Sequence, residues 1–315
     1  MWKYILRRLL FLPIILVSIS ILTFAMLHLA PGDPITIRFG FDPRGKDPLL
    51  VARMREDLGL NDPLPVQYLR YLGDLLHGDM GQSLSTKREV SYEIFERLPA
   101  TLELTLSAML ITIVIGVPLG VLCALKRGSF IDRLLMGFSL FGVSIPSFWL
   151  GIMLILLFSS QLGWLPSMGR GEGSLIERLP YLVLPSITLA VMLMGIVTRI
   201  TRSSMLDILG RDYVRVARAK GLTWNWVVIR HSLPNALIPV LTILALQFAG
   251  LMGGAVIVEN IFAWPGIGRL AINSIMRRDY PVVMGTVIVF AAIVVVVNLL
   301  LDLLYTVVDP RVRLD

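Results

Sequence analysis

Uncharged runs long enough to cross a bilayer dominate this chain and leave it few folds to choose from. They cover residues 9–30, 104–125, 134–169, 179–198, 232–258 and 280–301. A helix rises about 1.5 Å per residue, so roughly 20 residues cross a hydrocarbon core of about 30 Å. In lipid the backbone must bond to itself, so single runs of this length form helices. The run from 134 is too long for one span. Its first part, to about 159, is expected to cross, and 161–169 with Trp164 suits an interfacial return. The expectation is an all-α polytopic membrane protein with six transmembrane helices. Composition agrees: 56% of the residues are hydrophobic, 16% are charged, and the mean hydropathy of +0.77 excludes a soluble domain of this size.

The charge lies between the runs, and its sign sets the orientation. Lys3, Arg7 and Arg8 precede the first run, and Lys126, Arg127 and Arg133 follow the second. Seven basic residues fall between the fourth and fifth, and Arg311 and Arg313 follow the last. Basic loops stay on the cytoplasmic side, so both termini and the segment before 232 are expected there. Residues 31–97 fall on the opposite face. They hold nine Lys/Arg and eleven Asp/Glu, are punctuated by Pro and Gly, and keep returning to Leu, Tyr and Phe. That pattern favours a small folded extracytoplasmic lobe, with a helix over 49–58, rather than a disordered linker. The start, MWKYILRR, leads into a run longer than a signal-peptide core of about 7–15 residues, with no small-x-small cleavage site, so it reads as a retained first span. The organisation expected is 1–30 as N-terminal segment and first helix, 31–97 as the lobe, and 98–315 as a five-helix core that carries a cytoplasmic loop at 203–234.

The net charge of +7 sits in short inter-span loops and marks no nucleic-acid surface. Three isolated histidines and a single cysteine, Cys123 inside an apolar run, offer neither an intrachain disulfide nor a metal site of usual spacing. No G-x4-G-K-S/T phosphate loop, H-E-x-x-H or G-x-S-x-G occurs, so no catalytic residue, metal or cofactor is expected in this chain.

Polar groups inside the runs are costly in lipid, and each needs a reason. Asn298, Asp302 and Tyr305 follow i, i+4, i+7 spacing and share a helix face, which suits a translocation path or a subunit contact. Alternatively, Asp302 pairs with Arg199 or Arg202. Glu103 either faces the path at the outer mouth of the second span or caps a helix that starts after Pro99. In GVSIPSFWLG, Pro146 between Ser144 and Ser147 interrupts the backbone ladder, which makes all three path candidates. Gly250, Gly253 and Gly254 suit close helix packing. In ENIFAWPGIGRL, Phe262, Trp264 and the Pro265-Gly266 turn read as an external re-entry or as an aromatic belt anchor.

The stretch DYVRVARAKGLTWNWVVIRHSLP, residues 212–234, separates two spans on the basic face. Asp212 can cap a short helix over 213–220, Gly221 suits the left-handed residue that ends one, Thr223 can cap a second, and Pro234 stops it. The product is a two-helix knob rimmed by Arg211, Arg215, Arg218, Lys220 and Arg230. The small Ala217 and Ala219 let a partner backbone come close. On physics alone, such a loop equally serves to fix topology against anionic lipid. It resembles the coupling loop of ABC importer permeases, E-A-A-x3-G-x9-I-x-L-P, with Ala217, Gly221, Leu233 and Pro234 in register and Arg215, Val216 and His231 departing from it. The variant Y-x-R-x-A-R-A-K-G, from Tyr213 to Gly221, resembles the dipeptide/oligopeptide/nickel branch of that family, in its first, B-type subunit. So do APGDP, LGLNDPLPVQYLRY, HGDMGQS, RRDYPVV and NLLLDLLYTVVDPRVR, along with ENIFAWPGIGRL.

The resemblance implies a type I ABC importer permease fold in the bacterial cytoplasmic (inner) membrane, passing peptides or related small solutes. It implies a second homologous permease, two ATPase subunits that hold ATP and Mg, and an extracytoplasmic substrate-binding protein as partners. It assigns ATPase coupling to Asp212, Tyr213, Arg215, Ala217, Arg218, Ala219, Lys220, Gly221, Leu233 and Pro234. The competing expectation is a stand-alone ion-coupled secondary transporter with Asp302 and Glu103 as coupling carboxylates. The lack of a visible internal repeat weighs against it.

Overall fold

The computed structural model describes residues 2–29, 48–57 and 61–308. Their helices are α1 (Trp2–Leu29), α2 (Pro48–Asp57), α3 (Leu64–Leu76), α4 (Val90–Leu125), α5 (Phe130–Ser144), α6 (Ser147–Gln161), α7 (Leu175–Leu209), α8 (Asp212–Ala219), α9 (Trp224–Ile261), α10 (Ile267–Met276) and α11 (Tyr280–Val308). The APGDP segment and most of the first half of the 31–97 region lie outside the described residues.

Helices α4, α7, α9 and α11 are each long and apolar enough to cross a membrane. The described apolar part of α1, Pro13–Met26, is shorter than a crossing. The expected straight span from 134 to 159 is two helices, α5 and α6, bent by 105°. Pro146 explains the break: it lacks an N–H and pushes the preceding residue out of the helical region, and Ile145 is extended at φ −78°, ψ 127°. The six expected crossings therefore become four among the described residues, or five if the bent pair is one span.

Elsewhere, prolines fail to end helices where the sequence suggests they should. Pro99 lies inside α4, which begins at Val90 and not after the proline. Val90 and Ile94 are fully buried against Ile267, Leu270, Val282 and Val289, and that packing holds the turn ahead of the ring. Pro118 and Pro234 each follow a wide, i→i+5 turn, Thr112–Gly116 in α4 and Val227–Ser232 in α9. A wide turn displaces the carbonyl that a proline ring would strike, so the helix runs on. Ser232 Oγ donates to the Val227 carbonyl at 3.2 Å within the second such turn.

The chain divides into two compact units. One lies within residues 1–99 and 266–296. In it Phe24 of α1 meets Tyr68 edge-on and stacks on Tyr71 of α3, with centroids 5.5 and 6.4 Å apart. Ser20 and Tyr68 share a hydroxyl hydrogen bond of 2.8 Å. Burial, and then Tyr68, push the Tyr71 hydroxyl, which has no hydrogen-bond partner among the described residues, above its ordinary value. Asp279 is buried and accepts from the hydroxyls of Ser83 (2.5 Å) and Ser85 (2.8 Å) and from the N–H groups of Leu84 (3.0 Å) and Ser85 (3.1 Å). This anchor, with the apolar cluster around Ile94, explains why 266–296 groups with the N-terminal third rather than with the rest of 98–315.

The other unit is built on residues 100–265. Its axis is α7, which packs against α4, α5, α6 and α9 around Leu104, Leu184, Val197, Leu244, Val258 and Trp264. Two glycines permit the closest crossings. A Cβ on Gly120 would stand 2.6 Å from the Thr198 carbonyl, and one on Gly195 would stand 2.4 Å from that of Ser139. Trp264 is no belt residue facing lipid: it is fully buried, and its indole N–H donates to the Ala100 carbonyl at 2.8 Å. Close by in the chain, buried Glu259 accepts from the Thr101 hydroxyl at 2.6 Å.

Candidate functional site

The knob begins as α7 ends. Arg211 is extended at φ −76°, ψ 148° and occupies the cap position, so Asp212 is the first helical residue of α8 rather than its cap. Asp212 accepts from Arg215 Nη2 at 2.5 Å, one turn on and in solvent. Val214 is buried and pins the helix down. Lys220 closes α8, and Gly221 takes φ +81° with open space around it, the left-handed conformation that lets the chain reverse. Thr223 precedes Trp224, where α9 starts. The second knob helix is therefore the first turns of α9 itself, continuous through the wide turn, and Pro234 does not end it. Arg218 lies over the Trp224 ring at 4.9 Å. Ala217 is half-buried, and Ala219 and Pro234 are exposed.

The knob's root is apolar. Ala124 of α4, Met205 of α7, and Val228 and Ala236 of α9 form a buried cluster, with Leu233 packed against it. Its tip is apolar as well: Tyr213, Val216 (53% exposed), Leu222, Trp226 and Ile229 (64% exposed) face outward among the arginines. Such an apolar patch ringed by charge is the composition of a protein contact.

Near this end of α7, Arg202 grips Asp132 of α5 through Nε and Nη2, at 2.7 and 2.8 Å. Gly128 N–H adds a third bond to the carboxylate at 2.9 Å, and Ser129 caps α5 by accepting from Asp132 N–H at 3.2 Å. Asp132 side chains are almost fully buried. At the opposite end of α7, Glu103 does not sit in a first turn, because α4 starts well before it. Its carboxylate accepts from Arg170, through Nε at 2.8 Å and through Nη2, with Arg178 Nη1 at 3.6 Å.

Between α6, α7 and α9 lies a cleft of about 150 Å³, whose polar lining is Ser147, Thr188 and Gln247. Gly250 and Gly254 of α9 open one wall. A Cβ on Gly254 would stand 3.2 Å from Leu189 of α7, a close helix contact, whereas nothing stands within 4 Å of one on Gly253.

The family description "Binding-protein-dependent transport system inner membrane component" matches residues 116–314, and its N-terminal companion, "Binding-prot-dependent transport system membrane comp, N-term", matches residues 1–105. The dipeptide transport system permease protein DppB of Escherichia coli is 43% identical over 99% of both chains. The chain belongs to this family. The permease is also similar to the glutathione transport system permease protein GsiC of Salmonella paratyphi A, at 41% identity over 99% of each chain. Its fold matches a chain of the MetNI methionine ABC transporter in an inward-facing conformation, with a TM-score of 0.57 at 22% identity, over 70% of this chain and 97% of that one. The protein is thus a multi-pass ABC importer permease, a transport subunit and not an enzyme. Permeases of this family work with ATPase and substrate-binding partners and a second permease. Membership displaces the ion-coupled carrier reading.

Of the path candidates in this permease, Ser147 lines the cleft, Pro146 makes the bend, and Ser144 Oγ donates to the Leu140 carbonyl at 3.0 Å. Asn298 is half-buried on α11, whose unbroken course keeps Asn298, Asp302 and Tyr305 on one face. The side chains of Asp302 and Tyr305 lie outside the described residues. Arg202, one of the partners expected for Asp302, is committed to Asp132. Gln247, Asp132 and the Arg170–Arg178 pair escaped the sequence reading. For Asp132, Arg170 and Arg178 the hint was a charge bordering an uncharged run, which a topology count treats as surface; Gln247 lies inside a run and left no such mark.

Proposed function

We propose that this permease passes peptides or related small solutes, and that two ATPase subunits drive it by gripping the knob at 212–234. The relatives named for dipeptide and glutathione transport support the solute class. The observation that carries the coupling reading is the exposed apolar patch of Tyr213, Val216, Leu222, Trp226 and Ile229, set on a buried root and continuous with α9. Closure of the ATPases would move α8 and the first turns of α9 together, and α7 and α9 would rock between inward and outward openings. In this reading both termini and the knob are cytoplasmic, α1 and the bent α5–α6 pair complete six crossings, and 31–97 meets the binding protein outside, as the basic loops suggest. A second, homologous permease supplies the other half of the path.

Purification of the co-expressed transporter through a tag on this chain tests the reading. The wild type should retain two ATPases and a second permease. Val216→Asp with Ile229→Asp should lose the ATPases and keep the second permease. ATPases retained at wild-type stoichiometry would overturn the docking assignment.

A further inference from the structure

We propose that Arg178 is a carboxylate-binding group for the transported solute, a site that rests on the peptide-import reading above. Arg178 lies in the first turn of α7, and its side chain is only 22% exposed. Its Nε is buried with no hydrogen-bond partner among the described residues. Among the described residues its ion-pair partner is Glu103, whose Oε2 stands 3.6 Å from Nη1, beyond hydrogen-bond reach, and already accepts twice from Arg170. Glu177, one residue away in the chain, accepts from Ser174 N–H at 2.9 Å instead. A guanidinium carries five donors, has no acceptor and cannot shed its charge. Two of them around one carboxylate leave an excess positive charge and one buried guanidinium donor unpaired. That is the complement of a second carboxylate.

Position selects the ligand. Arg178 and Arg202 are 24 residues apart on one helix, about 36 Å at 1.5 Å per residue. With the knob in the cytoplasm, Arg178 stands at the outer end of α7, on the side from which solute enters. The α-carboxylate is a charged group that free peptides share whatever their side chains, so one arginine there serves a whole class.

The test uses the purified, assembled transporter and phenylglyoxal, an arginine-selective reagent, with modification of Arg178 followed by peptide mass. Millimolar alanyl-alanine should slow modification several-fold, and alanyl-alaninamide, which lacks the carboxylate, should not. Equal protection by both, or by neither, overturns the proposal. So does protection by added phosphatidylglycerol alone, which would make the site a lipid-phosphate seat. In proteoliposomes with binding protein, Arg178→Gln should cut alanyl-alanine import roughly ten- to hundred-fold, the loss expected for one charge-assisted bond, while binding-protein-stimulated ATP hydrolysis persists. Arg178→Lys should restore part of it. If the wild type imports no peptide, the peptide-import reading fails, and protection of Arg178 is still read on its own. If the wild type imports and Arg178→Gln imports equally well, the site is wrong.

Discussion

The two ends of α7 each carry a charged cluster, and the two are built to opposite rules. At the Arg202 end, one guanidinium meets one carboxylate through two bonds, and a backbone N–H completes the set. At the Arg178 end, two guanidiniums share one carboxylate, and one of them keeps a buried donor unpaired among the described residues. The first arrangement fastens α5 to α7 beside the knob. The second leaves electrostatic capacity unused inside a folded chain. Matched charge holds helices together, and mismatched charge at the other end of the same helix is what a ligand can use.

Stability measurements on the assembled transporter can break this contrast, and the largest effect belongs to the closed end. Asp132→Ala removes a carboxylate that is only 4% exposed and leaves Arg202 without its partner, and should cost about 3 kcal/mol, seen as a lower unfolding midpoint in detergent. Adding Arg202→Leu to it should recover most of the loss. A midpoint unchanged by Asp132→Ala would show that the pair fastens nothing. Glu103→Gln leaves Arg170 and Arg178 facing each other, and a smaller loss of about 1–2 kcal/mol is expected, since the Glu103 carboxylate is less buried than that of Asp132. Gly221→Val forces a β-branched residue into φ +81°, at about 1–2 kcal/mol, and should uncouple ATP hydrolysis from import while insertion persists. Import unaffected by Gly221→Val would separate the knob from coupling. Arg178→Gln should leave the midpoint within about 0.5 kcal/mol of wild type, the size of an ordinary near-surface change, and affect transport alone. A loss as large as that of Asp132→Ala would make the two ends alike.

Hydropathy made α4, α7, α9 and α11 legible, because a long uncharged run in lipid has few alternatives to a helix. The knob's turn at Gly221 was legible too, since few other residues take that backbone conformation without strain. Proline alone does not decide where a helix ends in this chain. Pro146 breaks its span, yet Pro99 and Pro234 do not, and the difference lies in the packing of Ile94 and in a wide turn, neither of which has a local signature. The Asp132–Arg202 pair joins residues 70 apart. Nothing short of the crossing of α5 and α7 brings them together. Glu103 was visible as a charge at a span boundary, but its two arginines come from the loop before α7 and from that helix's first turn.

The wide turn at Val227–Ser232 has a consequence for how this chain tolerates changes in length. Over such a turn the backbone uses one residue more than a regular helix, while the helix on each side keeps its facing. Deleting Ile229 would tighten it to a regular turn and leave α8 aimed as before. Deleting Leu241, in the regular part of α9, would swing everything ahead of it by about 100° around the helix axis. The knob is therefore mounted with slack of one residue at its base and none further along.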